Sequence, residues 1–163
     1  LRRRSPDLFV SISATTREPR PGEIDGVHYH FVSEEEFDSL IASGQMLEWA
    51  LVHGAHRYGT PRGPVQHQLD AGRPALLEID LAGARQVRRA MPQARLVFLA
   101  PPSWDELVRR LADRDTEEPE EQERRLVTAR TELAAADEFD HVVVNDTVAS
   151  ATDELARLMG LGS

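Results

Sequence analysis

Short apolar runs alternate along the chain with longer amphipathic stretches, and this alternation restricts the fold more than any other feature. It is how a parallel sheet with helical crossovers reads. Leu8 to Ser13, Ala75 to Ile79, Leu96 to Ala100 and Val142 to Val144 are short, largely apolar and bounded by polar, Gly or Pro residues, as strands covered on both faces must be. They are expected to be the core strands of an α/β domain. Helices are expected between and after them at Leu81 to Ala90, Ser103 to Ala112, Glu120 to Ala135 and Val148 to Met159. Ser103-Trp104-Asp105-Glu106 has the spacing of a capping box, which fixes the start of the second. Between the first two core strands lies a long excursion, Thr15 to Gly72. It has expected strands near Val27 to Phe31 and Met46 to Val52, and expected helices at Glu34 to Ala42 and Pro64 to Ala71. An excursion of that length can form a separate lobe carrying a substrate.

Composition narrows the function. The 163 residues suit one domain with a buried core. With 19 basic against 28 acidic residues the formal charge is −9, the wrong sign for a general nucleic-acid binder. No run approaches the roughly 18 apolar residues that a membrane span needs. There is no cysteine, hence no disulfide framework, thiolate metal site or cysteine nucleophile within the sequence. A cytoplasmic setting is the default expectation. All 19 basic residues are Arg, so any mechanism that requires a lysine must find it outside these residues. Leu1-Arg2-Arg3-Arg4-Ser5-Pro6 reads as the last turn of a helix followed by a Pro stop, so the sequence is expected to be the later part of a longer protein.

The chemistry starts at Ser13-Ala14-Thr15-Thr16-Arg17-Glu18-Pro19-Arg20-Pro21-Gly22-Glu23. Hydroxyls end a buried strand, and two arginines three residues apart follow in a loop stiffened by prolines. Guanidinium forks match phosphate geometry, so the loop suits a small anion. Pairing of the arginines with Glu18 and Glu23 is the competing reading. Farther on come Asp25-Gly26-Val27-His28-Tyr29-His30-Phe31, Leu47-Glu48-Trp49-Ala50 and Arg57-Tyr58-Gly59-Thr60. His28 and His30 would share a face if they lay on one strand, but no third or fourth ligand accompanies them, and a structural or exposed role is the expectation. Trp49 reads as packing.

The runs SATTREPRPGEIDGVHYHF, LEWA, YGTP, LLEIDLAGA and VFLAPPSW, in this order and over nearly the whole chain, resemble the guanylate kinase family, its actinobacterial type most closely. These are P-loop enzymes that move a phosphoryl group from ATP to GMP. The resemblance implies a P-loop NTPase-like parallel sheet with helices on both faces, an inserted GMP-binding lobe and a short lid. In this numbering the core is 1–14, 75–110 and 126–163, the lobe 15–74 and the lid 111–125. It further implies that Arg17, Arg20, Tyr29 and Tyr58 hold the GMP phosphate, and that Ser13, Glu48 and Asp80, with Thr60 beside them, read guanine. A carboxylate suits the paired N1 and N2 hydrogens of guanine, which adenine lacks. Glu78, two residues before Asp80 and on the same strand face by period 2, is read as a support for Asp80 or for the water shell of Mg²⁺.

On the donor side the resemblance implies lid arginines that neutralise the transferring group: Arg114, Arg125 and Arg130 as catalytic residues, with Arg110, Arg114 and Asn145 at ATP. Asp115 stands where the family has Gly. Mg²⁺ would come with ATP, the small-molecule partners are GMP and ATP, and neither nucleic acid nor membrane is expected as a partner. The Gly-rich phosphate loop G-x-x-x-x-G-K-[ST] does not occur in these residues. Its strand belongs in mid-sheet, where its absence leaves neighbours about 9–10 Å apart; residues 1–163 alone are therefore expected to fold poorly. Three functional readings follow: part of an ordinary guanylate kinase, a GMP-binding or protein-interaction module without ATP binding, and a nucleotide kinase with another acceptor. Intact acceptor residues favour the first over the second, and Glu48 with Asp80 weakens the third.

Overall fold

The computed structural model describes residues 1, 3, 5–52, 55–112 and 119–161. Internal contacts divide the chain into two units, residues 2–94 and residues 95–163 with Leu1. Strands and helices alternate in both units, as the apolar pattern requires of an α/β fold. The first unit runs β1 (Phe9–Val10), β2 (Ala14–Thr15), β3 (His30–Phe31), α1 (Glu34–Ala42), β4 (Met46–Val52), β5 (His56–Pro61), α2 (Arg62–Asp70), β6 (Ala75–Leu76) and α3 (Leu81–Ala90). The second runs β7 (Val97–Ala100), α4 (Trp104–Ala112), α5 (Pro119–Ala134), a short 3-10 turn at Ala136–Glu138, β8 (His141–Val144) and α6 (Val148–Met159).

In the first unit β1 and β6 pair in parallel. Their ladder is shorter than the apolar runs suggested, although the Ser11 N–H still donates to the Leu76 carbonyl at 2.9 Å. The excursion forms a four-stranded sheet in the order β3-β2-β5-β4, with β2 parallel to β3 and antiparallel to β5. The strand expected from Val27 begins only at His30, because the chain before it closes on itself. Gly26 adopts φ +72°, its N–H reaches the Tyr29 carbonyl at 2.8 Å, and the Asp25 carboxylate accepts from the Phe31 N–H at 2.9 Å. His28 lies in that turn, where its Nδ1 accepts from the Ile24 N–H at 3.0 Å, so the strand-face argument for a His28 and His30 pair does not apply.

Helix α1 forms where the sequence supplies both ends of a helix. Ser33 and Glu36 make a reciprocal capping box, and Glu34, Glu35 and Glu36 place negative charge on the first turn, where the helix dipole favours it. Phe37, Leu40 and Ile41 lie on one face by helical spacing. Phe37 is fully buried and packs with Ala14, Met46, Val32, Leu40 and Ile41, which seats the helix on the sheet. Arg57 of β5 adds a polar clamp to α1: its guanidinium pairs with Glu34 and Asp38 and lies 4.8 Å from the Phe37 ring centre.

In the second unit β7 and β8 pair in parallel through four consecutive residues, Val97 with His141 to Ala100 with Val144. A parallel pair needs a long crossover, and α4 and α5 fill it. Ser103 Oγ accepts from the Glu106 N–H at 3.1 Å, one half of the capping box expected from sequence; among the described residues the return bond from the Ser103 N–H is not formed, because the arginines of the next turn take the Glu106 carboxylate. The Glu106 carboxylate takes Arg109 and Arg110, which hold it below the usual carboxylate range. Among the described residues no helix is long and apolar enough to cross a membrane.

Candidate functional site

The loop after β2 is held around one guanidinium. Arg17 donates from Nη1 and Nη2 to the two Glu23 oxygens, both at 2.9 Å, from Nη1 to the Glu18 carbonyl at 2.6 Å and from Nε to Tyr58 Oη at 3.1 Å. Its carbon lies 5.4 Å from the Tyr29 ring centre and 5.8 Å from that of Phe31. The Tyr29 and Tyr58 rings meet edge to face at 5.8 Å. The pairing with Glu23 that competed with anion binding in the sequence is therefore formed. It does not exhaust the group: a guanidinium has five N–H donors, and these bonds leave one Nη2 hydrogen uncommitted. The Arg17 fork, together with the Arg20 backbone N–H, holds the Glu23 carboxyl down to about 2. Arg20 itself is exposed. The loop thus offers one braced and one exposed cation beside two phenols.

A second group, with the opposite charge, is built where β4 and β5 meet α3. Glu48 and Thr60 face each other in the antiparallel ladder, and Thr60, 1% exposed, donates its hydroxyl to Glu48 Oε1 at 2.6 Å. Asp80 is the N-cap of α3, and its Oδ1 accepts from the Gly83 N–H at 2.7 Å. A Cβ at Gly83 would lie 3.1 Å from Glu48 Oε2 and 3.2 Å from Asp80 Oδ1, so the two carboxylates approach each other across a bare helix backbone. Burial raises the Glu48 pKa above its ordinary value, the Thr60 hydroxyl bond opposes the rise, and the nearby Asp80 charge adds to it. No cation among the described residues pairs with Glu48 or Asp80. Such a carboxylate pair calls for a ligand that brings N–H donors.

Strand β5 joins the two groups. Tyr58 and Thr60 are two residues apart and on one face, which puts their Cα atoms about 7 Å apart. Between them, Gly59 lies opposite Trp49 in the ladder; a Cβ there would come within 2.6 Å of the Glu48 carbonyl oxygen and 2.8 Å of Trp49 Cβ. Only glycine lets β4 approach closely at this point. Ser13 immediately precedes β2, and its carbonyl accepts from the His30 N–H at 2.9 Å. Glu78 is exposed. Trp49 meets Phe37 edge to face at 6.3 Å, the packing role expected of it.

In the second unit, Arg110 Nη1 donates to the Asn145 carbonyl at 3.2 Å and its Nε to Glu106 at 2.7 Å, so two residues expected at ATP are neighbours. Arg130 stacks 4.6 Å from the Trp104 ring centre, bracing α5 on α4, and Arg125 lies on α5. Arg114 and Asp115 lie outside the described residues. Among the described residues no three His, Asp or Glu side chains converge into a metal cage. From sequence, Glu23 is only a rival partner for the arginines, and Gly83 carries no assigned role. The spacing of Glu23 from Arg17 in a Pro-Gly turn was a signal for the first, and Gly three residues after an N-cap Asp for the second.

A family model described as guanylate kinase matches residues 1–160. The chain belongs to the guanylate kinase family. It is 61% identical over 159 residues to a guanylate kinase of Leifsonia xyli, covering 98% of this chain and 63% of that protein. It is 61% identical over 159 residues to one of Nocardia farcinica, covering 97% and 82%, and 62% identical over 158 residues to one of Streptomyces coelicolor, covering 97% and 80%. Among solved structures, guanylate kinase from Anaplasma phagocytophilum superposes with a TM-score of 0.72 at 33% identity, over 94% of this chain and 74% of that one. Guanylate kinases phosphorylate GMP with ATP, so the family is one of nucleotide kinases, and the α/β fold expected from the sequence agrees with its solved member.

Proposed function

We propose that this chain carries the acceptor site of an ATP:GMP phosphotransferase acting in the cytoplasm. The observation that carries the reading is the charge arrangement of residues 13–83: a cationic, phenol-lined loop at one end and an unpaired carboxylate couple at the other, joined by a single strand. GMP has the complementary distribution, a phosphate dianion at one end and the N1 and N2 hydrogens of guanine at the other. Arg17, Arg20, Tyr29 and Tyr58 hold the phosphate, and Ser13, Glu48, Thr60 and Asp80 read the base. Adenine would leave the half-buried Glu48 without its donors, which is costly.

In the reaction a GMP phosphate oxygen attacks the γ-phosphorus of ATP as the bond from that phosphorus to the β,γ-bridging oxygen breaks, giving GDP and ADP. The acceptor oxygen is already ionised, so the protein's work is positioning and charge neutralisation rather than proton removal. We assign neutralisation to Arg114, Arg125 and Arg130, and contact with ATP to Arg110, Arg114 and Asn145. Mg²⁺ would neutralise the ATP phosphates and be carried by them and by water, as that ion prefers; the described residues do not form a cage for it. Calorimetric titration of GMP, with AMP as control, tests the acceptor site on these residues directly. GDP formation from ATP and GMP by the gene product that carries this chain tests the reaction. GMP binding with AMP excluded is the expected result; equal binding of both, or of neither, would refute the assignment.

A further inference from the structure

Among the described residues strand β4 is the outermost of its sheet and pairs only with β5. The outward N–H and C=O groups of an edge strand need other partners. At Trp49 one side chain takes both: the Trp49 N–H donates to Gln86 Oε1 at 3.1 Å, and Gln86 Nε2 donates to the Trp49 carbonyl at 2.9 Å. A carboxamide offers a donor and an acceptor side by side as a peptide group does, so Gln86 takes the place of a neighbouring strand at this one residue. Trp49 directly follows Glu48 in β4. Gln86 lies on α3, the helix that Asp80 caps and whose Gly83 faces Glu48 Oε2.

Two carboxylates drawn together without a cation repel each other. Glu48 rides on β4 and Asp80 on the start of α3, so their repulsion acts to part strand from helix. The paired hydrogen bonds at Trp49 oppose that parting one residue from Glu48. We propose that Gln86 is a positioning residue for guanine recognition: it locks β4 to α3 and so sets the gap between Glu48 and Asp80 that a guanine edge must fit. This inference rests on the assignment of GMP as acceptor.

Gln86→Met keeps the length of the side chain and deletes both bonds. Gln86→Glu keeps an acceptor for the Trp49 N–H but sets a carboxylate oxygen against the Trp49 carbonyl. Calorimetric titrations of each variant with GMP, IMP and ribose 5-phosphate separate the base from the phosphate, IMP being the purine nucleotide that lacks the 2-amino group. Each variant is expected to lose GMP affinity roughly three- to tenfold and to narrow the preference for GMP over IMP, with ribose 5-phosphate binding unchanged. A merely structural role would lower the binding-competent fraction for all three ligands alike. A folded variant that keeps the parental preference overturns the proposal. Should neither variant fold, amide exchange in the parent decides: the Trp49 amide must exchange slowly, and rapid exchange there also overturns it. A parent that does not distinguish GMP from IMP or AMP instead removes the guanine assignment, while the Trp49 exchange rate still shows whether the lock exists.

Discussion

Burial lifts the Glu48 pKa, and Asp80 adds to the rise, so the ionised form that would accept guanine hydrogens is disfavoured by the fold around it. The folded-state value lies above the unfolded value of 4.5. The native chain therefore binds that proton more tightly, and the stability this provides is lost as pH rises from about 4.5 through the folded value. Glu48→Gln removes the penalty and keeps an oxygen for Thr60. It is expected to raise the thermal midpoint at pH 7 while weakening GMP roughly 10- to 100-fold through the loss of charged hydrogen bonds; thermal scans at pH 4 and pH 7 with GMP titrations check both halves. Glu23 has the opposite sign. Its pKa falls from 4.5 to about 2, chiefly through Arg17, so its contribution is complete above about pH 4.5 and disappears as pH drops toward 2. The stability difference between the parent and Glu23→Gln should close over that window, and a difference that persists at pH 2 would contradict the Arg17 pairing.

Among the elements, the β4–β5 hairpin depends most on one position. Gly59→Ala forces a methyl against the Glu48 carbonyl and Trp49 Cβ, and is expected to cost about 1–3 kcal/mol by overpacking and to blunt GMP binding, because Glu48 is displaced with its strand. Denaturant unfolding and titration read the two effects. Phe37→Ala should destabilise more, by about 3–5 kcal/mol, since that side chain is fully buried; an unfolding midpoint close to the parent's would show that α1 is seated by the Arg57 clamp instead. The same elements show what was legible in the sequence. The bounds of α1, β4, α3 and α6 follow from caps and apolar spacing, because Ser33, Asp80 and Thr147 are side chains that end a helix by their own hydrogen bonds. The segment His56–Pro61 gave no strand signal, being polar with a central Gly, and it is a strand because β2 and β4 flank it. Likewise Arg17, Tyr58, Glu48 and Asp80 were named from the sequence through the resemblance to a family. The Glu23 brace and the nearness of Glu48 to Asp80 come from tertiary contacts that no local pattern encodes.

For the whole molecule, ligand binding and folding are linked. A ligand that binds only the folded chain stabilises it by about 2.7 kcal/mol at a hundred times its Kd, a rise of roughly 5–11 °C in Tm for a chain near this size. GMP should produce that rise and AMP at equal concentration should not; equal shifts would point to phosphate binding without base selection. The net charge of −9 repels a nucleotide at long range, so attraction must come from the local cations of the loop after β2. Added salt screens both effects, and the GMP affinity therefore reports which of them dominates.

Strand β5 has one more consequence. Tyr58 and Thr60 stand at a separation set by the rise of an extended backbone rather than by flexible side chains, so the strand works as a ruler. On the proposed assignment of Tyr58 to the phosphate and Thr60 to the base, it measures GMP from phosphate to base and fits a single phosphate at its cationic end. When a second phosphate is added, the product becomes longer than the gauge and projects beyond it. Under that proposal, lengthening by one phosphate turns the best-fitting ligand into an overlong one, and the same gauge that favours the substrate disfavours the product.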